Sequence, residues 1–251
     1  MTARVIATVA TAAITLIAAG CDRADPANAA VKSTSPAGTS AAPSSESASH
    51  RDEALLRVVH AAPSGTNVDL FAGDLLLFDG LGFKAVTPYR AIDGQRYAFA
   101  LRPAGMARAN PLSSNTEDLQ DGEYYTAFAM PGDGTGPNLR IVSDHLDRPA
   151  SGKARLRVVH AGVDAGKVDL RATGTTGVIF DDVEYQSVTD YRDVAPLNGA
   201  IEIVGEDKAA PLLATINSHL EAGRFYTLVI LGNARSSPGL EAFLIEDALT
   251  P

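Results

Sequence analysis

The chain repeats itself, and this constrains its fold more than any other feature. Leu56-Arg57-Val58-Val59-His60-Ala61 recurs as Leu156-Arg157-Val158-Val159-His160-Ala161, and Val68-Asp69-Leu70 recurs as Val168-Asp169-Leu170. Val86-Thr87-Pro88-Tyr89 returns as Val188-Thr189-Asp190-Tyr191. Leu119-Gln120-Asp121-Gly122-Glu123-Tyr124-Tyr125-Thr126 returns as Leu220-Glu221-Ala222-Gly223-Arg224-Phe225-Tyr226-Thr227. Four matched blocks, in order and at nearly constant offset, mean that one structural unit of about 100 residues occurs twice. The expected domains are 54–148 and 154–250, joined by the short polar link Arg148-Pro149-Ala150-Ser151-Gly152-Lys153. Two repeats are too few for a solenoid or a propeller.

Within each unit the periodicity is that of strands. Tyr97-Ala98-Phe99-Ala100-Leu101 alternates large and small side chains; Tyr124, Thr126, Phe128 and Met130 fall on one face, with Tyr125, Ala127 and Ala129 on the other. Apolar runs end in turn chemistry such as Asp79-Gly80, Asp93-Gly94, Asp121-Gly122 and Asn198-Gly199. The expected fold class is therefore all-β: two tandem immunoglobulin-like (Greek-key) β-sandwiches, following a signal peptide and a disordered tether. Leu-x-x-Gly-x-x-Tyr occurs in both units, ending at Tyr125 and Tyr226. It resembles the tyrosine corner of such sandwiches, in which the hydroxyl bonds to backbone upstream of its strand. These two tyrosines are expected to be structural.

The N-terminus reads as an export signal. Arg4 precedes the uncharged, mostly apolar run Val5–Ala19, too short for a spanning helix of about 20 residues. Ile17-Ala18-Ala19-Gly20-Cys21 then resembles the lipobox of bacterial lipoproteins, with Ala18 where most members have Leu. That resemblance implies cleavage after residue 20 and a diacylglycerol on Cys21, the sole cysteine of the chain. Residues 22–53 are rich in Ala, Ser, Thr and Pro and have almost no large apolar side chain, so they cannot bury enough surface to offset their ordering entropy. The expectation is a signal peptide over 1–20, a lipidated Cys21 and tether over 21–53, and exposure on the periplasmic or outer face of a bacterial envelope membrane. The formal net charge of -9 argues against nucleic acid, which needs a basic stripe. Expected partners are the membrane, through the anchor, and an envelope protein or small ligand.

The first block, Leu-Arg-Val-Val-His-Ala followed by Val-Asp-Leu, together with Val-Thr-x-Tyr and the turn Arg102-Pro103-Ala104-Gly105, looks like the bacterial domain-of-unknown-function 4397 family. The resemblance extends over roughly 54–250, although the second unit has Val204-Gly205-Glu206-Asp207 in place of the Arg-Pro-Ala-Gly turn. It implies exported β-domains, often in tandem and often anchored, without an established activity. It carries no functional residues across.

Catalytic signals are weak. His60 and His160 end the first strand of their units, and Asp69 and Asp169 follow nine residues later. A hairpin would bring each pair together, as a ligand site present twice or as polar groups satisfying turn backbone; the second reading carries more weight. One His and one Asp fall short of the three protein ligands of catalytic zinc. Neither Gly-x-Ser-x-Gly nor His-Glu-x-x-His occurs. Asp121, Glu123, Asp133, Asp144 and Asp147, and separately Asp181, Asp182 and Glu184, would supply loop oxygens for calcium, but none matches an EF-hand spacing. Tyr89 and Tyr191 are expected to pack. No catalytic residue, metal or cofactor is expected. The leading expectation is a non-enzymatic envelope lipoprotein serving binding, adhesion or scaffolding. The alternative is a metal-binding or hydrolytic protein using the His–Asp pairs.

Overall fold

The computed structural model describes residues 52–63, 65–134, 136–174, 177–205 and 212–247. All of them belong to one compact unit, Pro43–Pro251. The expected signal peptide, Cys21 and nearly all of the expected tether lie outside the described residues.

The first half contains β1 (Ala54–His60), β2 (Val68–Ala72), β3 (Leu75–Leu81), β4 (Arg90–Ile92), β5 (Arg96–Pro103), β6 (Ser113–Asp118), β7 (Tyr124–Pro131) and β8 (Pro137–Ser143). The second contains β9 (Ala154–His160), β10 (Val168–Ala172), β11 (Val178–Val183), β12 (Ser187–Val188), β13 (Arg192–Val194), β14 (Leu197–Gly205), β15 (Leu212–Leu220), β16 (Phe225–Leu231) and β17 (Glu241–Glu246). The described residues include no α-helix, and so no helix long and apolar enough to cross a membrane.

Each half is two sheets. In the first, the orders are β4-β1-β7-β8 and β3-β2-β5-β6. In the second, β12-β9-β16-β17 and β11-β10-β14-β15 repeat that plan, and β13 also pairs with β9. The hallmark of both is a parallel pair: β1 beside β7, with Leu56 opposite Tyr125, and β9 beside β16, with Leu156 opposite Tyr226. The chain therefore switches sheets between neighbouring strands, as a Greek key requires.

One core fills each sandwich. Leu56, Val58 and Ala127 from one sheet meet Val68, Leu70, Phe99 and Leu101 from the other. Leu156, Val158 and Leu228 meet Leu170, Ile201 and Ile203 in the second half. A third cluster joins the halves. Val59, Ala61, Phe128 and Met130 pack with Val159, Ala161, Val229 and Leu231. The alternation along β1 and β7 thus does not separate core from water. One side of each strand faces its own sandwich and the other faces the neighbouring half, so all seven residues of β1 and of β16 are buried. The two interiors remain distinct, but the units are not independent beads on a link.

Candidate functional site

Arg57 projects from β1 toward the other half, and Arg157 projects from β9 in the reverse direction. A strand places alternate side chains on opposite faces, and in both copies the arginine lies between two core residues, Leu and Val. Both guanidiniums are buried. Each pairs with an aspartate of the other half: Arg57 with Asp247, just after β17, and Arg157 with Asp144, just after β8, at 2.6 Å. The ion pairs cross.

Within each half, hydroxyls complete the arrangement. Asp144 accepts from Thr126 at 2.6 Å and from the Tyr89 hydroxyl at 2.6 Å. Asp247 accepts from Thr227 at 2.7 Å and from Tyr191 at 2.8 Å. The guanidinium Nε of Arg57 donates to Thr126 at 2.9 Å, and that of Arg157 to Thr227 at 2.8 Å. Arg57 also lies over the ring of Tyr89, 4.7 Å from its centre, and Arg157 over Tyr191 at 4.6 Å. The result is eight side chains related by an approximate two-fold axis, with two positive and two negative charges.

The electrostatics are those of a closed set. Burial opposes the charge on Arg57, but Asp247, Tyr89 and Asp144 outweigh it, and the guanidinium is held above its ordinary range. Arg157 behaves likewise: burial is countered by Asp144 and Tyr191. Burial and then Asp144 raise the Tyr89 hydroxyl; burial also raises Tyr191, against the pull of Arg157. Both phenols stay protonated donors. A buried charge left unpaired is costly, so this set holds only while the halves are joined.

Among the described residues no hydrogen bond joins His60 to Asp69 or His160 to Asp169; Asp69, Asp169 and His160 satisfy local backbone, the reading that carries more weight in the sequence. Asp69 instead accepts the backbone N–H of Gly80 at 2.7 Å and of Gly105 at 2.9 Å. Asp169 accepts the N–H of Asp182 at 3.0 Å and pairs with Arg171 at 3.2 Å. Both carboxylates thereby tie down the bulge in the neighbouring strand, where the register slips between β2 and β3 and between β10 and β11. The bulge needs a left-handed residue: Gly80 has φ 62°, and Asp182 takes φ 52° in the second copy. His160 lies between the Gly166 carbonyl at 2.8 Å and the Gly162 N–H at 3.2 Å. His60 is fully buried, with the Gly82 backbone as its polar neighbour. Burial lowers the pKa of both histidines.

Other candidates are also engaged locally. The Tyr125 hydroxyl accepts the N–H of Gln120 at 3.0 Å, and that of Tyr226 the N–H of Glu221 at 3.1 Å. Asp121, considered for calcium, accepts the N–H of Gly94 at 2.8 Å. Asp144, considered with it, is not a loop ligand but one of the four charges buried between the halves, a quartet with Arg57, Arg157 and Asp247. Asp169, Asp181 and Asp182 bring carboxylate oxygens within 4.8 Å of one another. Asp169 in that cluster is already balanced by Arg171.

Between the halves, beside the quartet, opens a polar cleft of about 510 Å³. Arg140 and His145 line it from the first half, and Arg155, Arg157, Thr189 and Asp190 from the second. Sequence reasoning missed both cleft and quartet. The available signal was the exact return of Arg57, Thr126 and Tyr89 as Arg157, Thr227 and Tyr191, polar residues copied within apolar strands.

The family model described as "Domain of unknown function (DUF4397)" matches residues 54–171. The match covers the first half and continues through the link into β9 and β10, short of the 54–250 span of the sequence resemblance. No curated protein matches the chain. Among solved structures, the C-terminal domain of AlgF from P. aeruginosa is similar at 21% identity and TM-score 0.29, over 38% of this chain and 98% of that one. A candidate cell adhesion protein from Bacteroides eggerthii matches at 10% identity and TM-score 0.24, over 78% and 95%. A family 26 carbohydrate-binding module from Eubacterium rectale Amy13K, in complex with maltoheptaose, matches at 12% identity and TM-score 0.22, over 78% and 97%.

Proposed function

With the chain a DUF4397 family member through residues 54–171, we propose that it is an exported, lipid-anchored binding module of the bacterial envelope that performs no catalysis. It presents its two sandwiches as one rigid body for binding, adhesion or scaffolding. The anchor reading rests on the lipobox-like run ending at Cys21. The non-catalytic reading rests on one observation: the charged groups buried between the halves are engaged with one another. Arg57, Arg157, Asp144 and Asp247 neutralise each other across the halves. Asp69 and Asp169 hold backbone, so neither can orient an imidazole as a base requires.

The test has two arms. Labelling with a palmitate analogue should mark the chain and should be lost in Cys21→Ala; retained label refutes acylation there. Crosslinking in the native envelope should capture a defined partner or ligand. Turnover in a broad hydrolase screen, abolished by His60→Ala or His160→Ala, would refute the non-catalytic reading.

A further inference from the structure

The approximate two-fold axis supplies an internal control, because each feature of one half has a counterpart in the other. β7 and β8 pair Phe128 with Arg140, and β16 and β17 pair Val229 with Phe243. Since Thr126 and Thr227 are equivalent, Arg140 stands where the second half has Phe243. Arg155 stands where the first half has Leu55. The groove beside Asp144 therefore carries cationic side chains at two positions that are apolar in its twin. The interface does not need them, since the twin joins the halves without them.

The charges around this cleft are not equally committed. Arg157 is matched by Asp144 at 2.6 Å. Arg155 faces Asp193 at 3.3 Å and Asp147 at 4.0 Å. Asp190 is exposed at the rim. Arg140 is exposed, and its hydrogen bond is to a neutral acceptor, the Gln186 carbonyl at 3.1 Å. Among the described residues it forms no ion pair, in a chain of formal net charge -9. A planar guanidinium offers two parallel donors to an oxyanion, the geometry preferred for carboxylate and sulfate. The volume of about 510 Å³ lies within the range of small-ligand sites. Apolar surface comes from Val142, Val188 and the Tyr191 ring, and the other lining side chains are polar or charged, so the cleft suits a hydrophilic ligand.

We propose that the cleft between the halves binds a small hydrophilic ligand through an oxyanion held by Arg140, with Arg155 and His145 beside it. This rests on the binding-module reading and gives that module a ligand class. The experiment uses the whole mature chain and follows titration by calorimetry and by amide chemical shifts. The probes are glucuronate (a carboxylate on a polyol), sulfate (the charge alone) and glucose (the polyol alone). Glucuronate or sulfate should bind and shift amides of β8 and of the β12–β13 segment, more weakly as ionic strength rises. Binding should fall at least tenfold in Arg140→Phe, which installs the residue of the twin groove, and should persist in Arg108→Leu, which is not among the residues that line the cleft. Stronger binding of glucuronate than sulfate assigns the site to an acidic sugar; equal binding assigns it to the anion alone. Absence of binding by either anion, equal binding of glucose, or undiminished binding in Arg140→Phe overturns the proposal. Such a failure would leave partner capture in the envelope untouched, so the two readings fail separately.

Discussion

Two buried carboxylates, Asp144 and Asp247, each tie one half of the chain to the other. Asp247 neutralises Arg57 from across the interface while accepting Thr227 and Tyr191 from its own side. Replacing Asp247 or Asp144 by Ala strands a buried guanidinium, and the expected cost is about 3–5 kcal/mol. Denaturant midpoints measure this. The paired replacement Arg57→Met with Asp247→Leu should recover most of the loss, because removing both charges of a buried pair is often close to neutral. A double as unstable as Asp247→Ala would show that the ion pair is not the cause. The histidines supply a pH dependence. Burial holds His60 and His160 below their ordinary 6.5. The unfolded chain therefore takes up protons first as pH falls through about 6.5, and stability drops below that point, by up to about 1.4 kcal/mol per pH unit for each group. Stability measured between pH 7.5 and 5 should fall on acidification, and His160→Gln should flatten the slope. A slope unchanged in that variant would remove the histidine from the account.

At the scale of elements, β7 shows what the sequence can and cannot convey. The alternation of Tyr125, Ala127 and Ala129 with Thr126, Phe128 and Met130 is legible as a strand, and the copied Leu-x-x-Gly-x-x-Tyr blocks place its start. Which side faces water is not legible, because both sides are apolar and both are buried. Phe128 belongs to the cluster between the halves, and Arg157 of the other half lies over its ring at 5.5 Å. Phe128→Ala should therefore cost about 3–5 kcal/mol, as for a core residue, although it lies outside its own sandwich. A thermal melt showing a loss below about 1 kcal/mol would mean that this face is solvated. The aspartates were hidden for another reason. Asp144 and Asp247 close strands whose sequences have diverged, Ile141-Val142-Ser143 against Leu244-Ile245-Glu246, so they fall in no matched block. Without the crossing partner, Asp144 reads as one more loop carboxylate. The nine-residue His–Asp spacing left two roles open, a pair or backbone ties, because it said nothing about the bulge that claims Asp69 through Gly80.

Across the whole molecule, the duplication is legible and its consequence is not. Two copies at constant offset predict two sandwiches; they do not predict that each copy completes the other. The crossed pairs and the shared cluster of Val59, Phe128, Val159 and Val229 make the halves one cooperative body. Lys84 and Glu241 add an exposed cross-half pair at 2.6 Å, whose contribution is small beside the buried ones. The direct test is residue-resolved hydrogen exchange on the full chain, with and without Asp247→Ala, following the central strands β5 and β14, neither of which touches the altered residue. The account predicts that protection falls by a similar factor in both strands. Loss confined to β14, with β5 unchanged, would show that the halves fold independently and would contradict it.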